Sequence, residues 1–514
     1  MTIPSPGATN HAGAPRNSLT LRHLGIHTYR EKVLFMRSDC HICRSVGFTV
    51  QSRVLVALGE RRLVATVNMV GAELLGNGEA GLSEAAWDVL EARPGDTIVV
   101  SHAPPIESLS HLRAKVYGHR LDDHAMREIM GDIVAGQYSD LHLAAFVTAC
   151  AGDRLDTSEV VALTRAMIDV GTRLTWSHPM VMDKHCVGGL PGNRTTLLVV
   201  PIVAAAGLTI PKTSSRAITS PAGTADTMEV LAPVALDREA MQRVVEREGG
   251  CIVWGASVGL SPADDVLISV ERPLDLDSEG QLVASVLSKK AAAGSTHVVI
   301  DMPVGPTAKV RSSEAAARLG AELQKVGHAI GIEVRVVVTD GSQPVGRGIG
   351  PALEARDVLA ILRREPGAAG DLRGRALRLA GSILEFSAAV PQGTGLALAT
   401  RILDDGRALE KFVAICASQG GMREPPRAAH QRPFAAARGG RVAQVDNRRL
   451  ARAAKLAGAP QAPAAGIDFL APIGTVVERG QPLFVVHAQA PGELAYAFDY
   501  LAAQQDVITL GDAE

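Results

Sequence analysis

Residues 183–230 read DKHCVGGLPGNRTTLLVVPIVAAAGLTIPKTSSRAITSPAGTADTMEV. An apolar run, Leu197 to Leu208, separates two loops of small residues, Gly188-Gly189-Leu190-Pro191-Gly192 and Ser214 to Thr224. Each loop is predicted to open a helix. The first turn of a helix carries unpaired backbone N–H groups and the positive end of the helix dipole, so two such turns make a seat for an anion. Lys184, His185 and Arg216 stand beside the loops and offer full charge and a proton. A single glycine loop reads equally well as a tight strand-to-helix connection. Two of them, interleaved with Lys, His, Arg, Ser and Thr, read as a site.

Outward from this segment the pattern is strand–loop–helix. PMVMDK, LTIPKTS, THVVIDMP and VRVVVTD are strand candidates with helices between them, the signature of a largely parallel sheet with helical cover. Ligands on such sheets sit at the carboxyl ends of the strands, where Lys184, Ser214, Asp301 and Asp340 are expected to fall. Upstream, residues 112–171 carry three amphipathic helices, with Asp122, Ser139 or Asp140, and Thr157 or Ser158 as N-caps. Before them, FTVQSRVLVALG, RRLVATVNMVG and DTIVVSH alternate as strands and suggest a small closed sheet with no catalytic cluster. GIDFLAPIGTVVERGQPLFVVHAQ returns to β near the end, ahead of a last helix.

The expected division is a disordered tail over 1–20, a β-rich domain over 21–104, and a helical domain from 105–170 with 264–292. An α/β anion-binding domain follows from 171–263 with 293–430, and then a C-terminal domain over 431–514. Three domains or so also suit a length of 514 residues.

Composition narrows the function classes. The chain is 46% hydrophobic and only 3% aromatic, so its cores rest on aliphatic packing, and a net charge of −2 sets up no field for nucleic acid or membrane. The basic stretch Arg423 to Lys455 has Phe434 as its sole aromatic, lacks stacking platforms for single strands, and reads as a solvated connection. Six scattered cysteines argue for a reducing compartment, and Cys40-His41-Ile42-Cys43 is half of a zinc pattern without its second pair. The longest apolar run, 12 residues with Pro201 inside, falls short of the ~20 that cross a bilayer. A cytoplasmic protein without membrane or nucleic-acid partners is expected.

Two anion loops without a P-loop, and without a cluster of metal ligands beside them, point to phosphate as a reactant. Side-chain and backbone donors alone would activate it. Phosphorolysis fits: phosphate attacks an anomeric carbon while an acid or a cation meets the departing base.

Asp183-Lys184-His185-Cys186-Val187-Gly188-Gly189, the TSSRAITSPAGTAD loop and LVASVLSKK over 282–290 resemble the thymidine/pyrimidine-nucleoside phosphorylases over about residues 105–514. The likeness is stronger to the family's long branch, which has an extra N-terminal domain and includes AMP phosphorylases. The resemblance implies an α/β, nucleoside phosphorylase-like fold. It consists of a helical domain plus a mixed α/β domain, with further β-rich N- and C-terminal domains.

The resemblance also implies roles. Phosphate would be held by Lys184, Cys186, Thr196, Ser214 and Thr224, with the backbone of Gly188 and Gly189. The nucleoside would meet Ser215, Arg216, Ala217, Ile218, Thr219 and Ser220 on the second loop. Arg272, Ser285 and Lys289 would face the base. His185 or Asp277 would donate the proton, and Lys309 would serve a 5′-phosphate. No metal and no cofactor is implied beyond inorganic phosphate as co-substrate, and a homodimer or larger homo-oligomer is expected.

One departure stands out: the family's phosphate-binding serine is Cys186, a weaker donor. Three readings stay open besides a thymidine phosphorylase. Lys309 and Arg216, as spare cations, would suit AMP. Cys186 would suit a binding protein without turnover. A phosphoribosyltransferase shares the architecture, although no acidic pair for Mg²⁺ stands beside the loops.

Overall fold

The computed structural model describes residues 17–42, 47–217, 220–274, 276, 278–504 and 506–512, apart from the side chain of Arg272. The chain forms two compact units, Met1–Ala149 with Ser269–Asp275, and Cys150–Ile268 with Leu276–Glu514.

In the first unit six strands close into a barrel: β1 (Ser18–Leu21), β2 (Val33–Arg37), β3 (Arg53–Leu58), β4 (Arg61–Val70), β5 (Glu79–Leu82) and β6 (Thr97–His102), ordered β1-β5-β2-β4-β3-β6. Alternation sets the register. Val54 and Val56 point inward on β3 and join Leu34, Met36, Ile98 and Val100 in the core. β1 claims residues 18–20, which the sequence placed in a tail, and Asn17 precedes it; residues 1–16 of that tail and Cys43 lie outside the described residues.

Helix α1 (Glu84–Leu90) belongs to the barrel, and three more helices follow: α2 (Leu109–Val116), α3 (Asp123–Val134) and α4 (Asp140–Ala149). Asp122 caps α3 as expected, accepting from the Ala125 N–H.

The second unit opens with α5 (Thr157–Asp169). Its cap is Asp156, not Thr157 or Ser158, because Glu159 falls three residues on and completes a capping box. A parallel sheet then forms from β7 (Met182–Cys186), β8 (Ile210–Ser214), β9 (Gly250–Trp254), β10 (His297–Val304) and β11 (Glu333–Asp340). Its two parts, β11-β10-β7 and β8-β9, meet through the Val181–Thr209 bridge. Between the strands run α6 (Thr196–Ala205), α7 (Thr224–Glu229), α8 (Arg238–Glu248), α9 (Pro262–Leu274, of which the part from Ser269 on belongs to the first unit), α10 (Glu279–Ala292) and α11 (Ser313–Ala329).

Helix α6 is apolar on every side after Thr196 and buried from Thr196 to Ala204, so it sits inside the unit as a core element. It packs on α13 (Gly370–Leu384) and α15 (Arg407–Ser418), which follow α12 (Pro351–Leu362) and flank α14 (Gly395–Asp404). The last segment is antiparallel: β12 (Gly348–Ile349), β13 (His430–Ala435), β15 (Gly466–Phe469) and β17 (Pro482–Ala488) make one sheet. β14 (Gly440–Val445), β16 (Val476–Val477) and β18 (Ile508–Gly511) make another. Helices α16 (Asn447–Leu456) and α17 (Pro491–Ala503) cover them. The basic stretch is therefore no mere connection, since most of it is β13, β14 and α16. Among the described residues no helix is long and apolar enough to cross a membrane.

Candidate active site

Lys184 lies in the middle of β7, only 1% exposed, rather than at the strand end. Asp301 is likewise inside β10, where parallel pairing sets it opposite Cys186. This register builds the centre of the site. Lys184 Nζ donates to Thr195 Oγ1 at 2.7 Å and stands 3.8 Å from Asp301 Oδ2. Asn193 Nδ2 donates to Asp301 Oδ2 at 2.9 Å and to Cys186 Sγ at 3.1 Å, while Thr339 Oγ1 donates to Asp301 Oδ1 at 2.7 Å. Burial alone would raise the Asp301 carboxyl, but Lys184 and these two donors outweigh it and hold it below the usual range.

A second buried group adjoins the first. Asp183 accepts from Lys290 Nζ at 2.7 Å and from Ser295 Oγ at 3.2 Å, and Lys212 Nζ is 3.6 Å away. Burial works against the Asp183 carboxylate, and Lys212 and Lys290 overcome it, so its proton affinity is lowered. Three ammonium groups (Lys184, Lys212, Lys290) thus face two carboxylates (Asp183, Asp301) in an interior where all five are buried. Lys184 and Lys290 balance the two carboxylates, and the protonated share of Lys212 leaves a partial positive excess away from water, the electrostatic form of an anion site. Burial lowers Lys212 to about 7, against the pull of Asp183.

His185 feels the same charges. Burial first, then Lys290, Lys212, Lys289 and Lys184, push its pKa well below 6.5. At neutral pH the ring is uncharged: it can offer an N–H as a hydrogen bond, but it carries no extra proton. Cys186 is driven the other way. Burial and the Asp301 carboxylate raise the thiol to about 12, so it stays protonated and is no nucleophile at neutral pH.

The two small-residue loops are tied together by a residue the sequence reading passed over. Arg194, 7% exposed, donates through Nη1 to Thr224 Oγ1 at 3.1 Å and through Nη2 to the Ala222 carbonyl at 2.7 Å. Its Nε meets Glu354, which also accepts from Thr227 Oγ1 at 2.9 Å. The first loop needs its glycines: Gly188 and Gly189 have φ of 126° and 49°. A Cβ on Gly188 would also come within 3.4 Å of Lys309 Cβ, which sets Lys309 against that loop.

In the second loop Asp226 takes the N–H groups of Ala217 and Gly223 at 2.7 and 2.8 Å, so the loop folds onto its own carboxylate. Ser220 Oγ donates to the Ala222 carbonyl at 2.8 Å, and the Ser215 carbonyl accepts from the Ala225 N–H at 3.3 Å. Ser214 differs: its hydroxyl is buried at the end of β8 and has no hydrogen-bond partner among the described residues.

Arg216 is not a spare cation. It donates to Glu229 at 2.5 and 2.9 Å and to Asp226 at 3.1 Å, and it lies over the Trp254 ring at 4.8 Å. The Glu229 bond, chiefly, raises its pKa. On α10, Lys289 Nζ binds Ser285 Oγ at 3.0 Å and Asp264 at 2.7 Å, the i,i+4 spacing of Ser285 and Lys289 placing both side chains on one face. Thr196 sits beside Thr195 at the start of α6, but Thr195 is the residue that meets Lys184. Ile218, Thr219, Asp277 and the Arg272 side chain lie outside the described residues.

Sequence reasoning missed Asn193, Arg194, Thr195 and Glu354. It also missed Arg375, a buried cation on α13 that bonds the Asp340 carbonyl and acts electrostatically on Asp301 and Cys186. Only Arg194 carried a signal, as a charged residue two positions past the first glycine loop.

Known families cover the same segments. Residues 109–171 match the family described as "Glycosyl transferase family, helical bundle domain" and 178–409 match "Glycosyl transferase family, a/b domain". Residues 441–507 match "Pyrimidine nucleoside phosphorylase C-terminal domain". The chain is 64% identical over 506 residues to "Putative thymidine phosphorylase 2" of Acidovorax sp. (strain JS42), covering 98% of each chain. It is 67% identical over 488 residues to "Putative thymidine phosphorylase 1" of the same strain, covering 95% of this chain and 96% of that one. A protein from Legionella pneumophila (strain Paris), named "Putative thymidine phosphorylase", is 59% identical over 96% of each chain. Among solved structures, anthranilate phosphoribosyltransferase from Thermus thermophilus aligns with a TM-score of 0.49 at 21% identity, over 60% of this chain and 98% of that one.

Proposed function

Because the chain belongs to the thymidine/pyrimidine-nucleoside phosphorylase family, we propose that it catalyses reversible phosphorolysis of thymidine or a related pyrimidine nucleoside. A phosphate oxygen attacks the anomeric carbon as the bond to the base nitrogen breaks. The products are the free base, which gains a proton, and a (deoxy)ribose 1-phosphate. The observation that carries this reading is the Ser214 hydroxyl, a buried donor without a hydrogen-bond partner among the described residues, close in sequence to the Lys212 charge. A donor left unpaired inside a protein costs about 1–3 kcal/mol, a cost that a bound oxyanion removes.

Lys184, Ser214, Thr224 and the Gly188–Gly189 backbone serve as the phosphate seat, with Cys186 as a neutral thiol in the serine position of the family. Ser285 and Lys289 meet the base. His185 is neutral before phosphate arrives; the dianion offsets the lysine charges around the ring and raises its proton affinity, so proton delivery follows phosphate binding. The reaction needs no metal on this reading. The described cysteines are all free, which suits a reducing, cytoplasmic setting.

A second reading, phosphorolysis of a nucleoside monophosphate such as AMP, rests on the placement of Lys309 against Gly188. Incubation with phosphate and, in turn, thymidine, uridine, cytidine, AMP and CMP, followed by assay for free base, tests both. Thymidine turnover supports the first reading and AMP turnover the second. No phosphate-dependent release from any of the five overturns both in favour of a binding protein.

A further inference from the structure

His124 and Glu128 are four residues apart on α3, so their side chains leave the same face of the helix one turn apart. His111, on α2, reaches the same place. Its Nε2 is 2.8 Å from Glu128 Oε2, and His124 Nε2 is 3.4 Å from Glu128 Oε1. The three ligand atoms all lie within 4.8 Å of one another. We propose that His111, His124 and Glu128 form a binding site for a divalent transition-metal ion of the zinc class, joining α2 to α3.

The donor set decides the class of ion. Two imidazole nitrogens and one carboxylate oxygen suit zinc and its first-row neighbours, whereas magnesium and calcium favour all-oxygen shells. Spacing agrees as well. Ligands about 2.0–2.1 Å from a tetrahedral zinc are about 3.4 Å from each other. His124 Nε2 already stands 3.4 Å from Glu128 Oε1; His111 Nε2, 2.8 Å from Oε2, has to move outward, and the separations of up to 4.8 Å have to shorten, a change that rotation of His124, whose side chain is 70% exposed, can supply.

The surroundings favour a cation. A hollow of about 350 Å³ beside the cluster is lined by Glu107, Asp132 and Glu128 itself. Three protein ligands leave a fourth position for water, and the exposure of His124 leaves a path for exchange.

The bound ion would pin the segment between α2 and α3, including Gly118 at φ 88°, and stabilise the unit that contains it. This site is separate from the proposed phosphorolysis and stands without it.

The test uses the full chain stripped with EDTA and then titrated with Zn²⁺ by calorimetry and with Co²⁺ by visible absorption. One ion per chain, a d–d band of a nitrogen/oxygen site and a melting temperature raised by a few degrees are expected. His111→Ala/His124→Ala should lose all three while its metal-free melting temperature matches the wild type. If that double variant is unstable, His124→Gln alone should weaken binding at least tenfold. Absence of micromolar binding, or binding retained in whichever variant folds, overturns the proposal. Catalytic activity should be the same with and without the metal.

Discussion

Arg194 Nη1 donates to Thr224 Oγ1 at 3.1 Å, and this bond joins the far end of the first small-residue loop to the start of the helix that the second one opens. Because Arg194 also satisfies the buried Glu354, the two loops and α12 share one charge pair. Burial already raises the Glu354 carboxyl against the pull of Arg194, so removing the arginine leaves a carboxylate in a place where it is poorly solvated.

Arg194→Ala is therefore expected to destabilise the protein by about 3–5 kcal/mol, the usual cost of stranding one member of a buried pair. Adding Glu354→Gln should recover part of that loss, because a neutral amide tolerates burial better. Chemical denaturation of the two variants checks this. A double variant no more stable than Arg194→Ala would show that the pair is not the source.

Ser214→Ala separates a ligand contact from a structural one. The hydroxyl has no partner among the described residues, so without phosphate its loss should not lower stability and should raise it, by up to about 1–3 kcal/mol, as the unpaired donor is removed. If it donates to phosphate, the KM for phosphate should rise about five- to tenfold, the worth of one hydrogen bond, while the KM for the nucleoside changes little. Equal effects on both KM values would remove Ser214 from the phosphate seat.

His185 gives the protein a pH signature. Its folded pKa is depressed by burial and the surrounding lysines, so below about 6.5 the unfolded chain binds a proton that the folded chain resists. Stability is then fully present above that pH and lost as pH falls. His142, His297 and His487 are depressed in the same direction, so the wild-type curve alone does not isolate the group. His185→Gln does. The variant should lose less stability than the wild type between pH 7 and 5, as read by denaturant midpoints at each pH. Parallel curves would show that His185 titrates normally.

The parts of this fold that were legible are those written in local pattern. Alternating Val and Leu announced the barrel, and apolar runs after glycine or proline announced β8 and β10. Strand β9, Gly250–Trp254, escaped because GCIVW is short and buried, with no alternation to mark it. The capping box of Asp156 and Glu159 was readable from its spacing, yet two hydroxyl residues next to it competed for the same role.

The site was legible as a location and less so as a wiring diagram. Lys184, Cys186 and the glycines could be named from one segment. Lys184 and Cys186 have local partners in Thr195 and Asn193, but the carboxylate that links them, Asp301, comes from a strand more than a hundred residues on, as do its donor Thr339 and the Lys290 that binds Asp183. Arg216 shows the cost of that blindness. Its carboxylate partners sit 10 and 13 residues ahead on α7, a spacing that has no meaning until the loop has folded.

Lys309 separates the two candidate substrates. Its Cβ lies against the Gly188 position, which sets the base of the side chain beside the first loop. If the substrate is AMP, a charge-assisted contact to the 5′-phosphate is worth roughly 1.5–3 kcal/mol. Lys309→Ala should then lower kcat/KM for AMP by about ten- to a hundredfold, since each 1.4 kcal/mol is tenfold. An unphosphorylated nucleoside has nothing for the ammonium to hold, and its turnover should be nearly unchanged. Steady-state kinetics of the variant with AMP and with thymidine read the difference. A large loss on thymidine with none on AMP would contradict both substrate assignments and take Lys309 out of the nucleotide pocket.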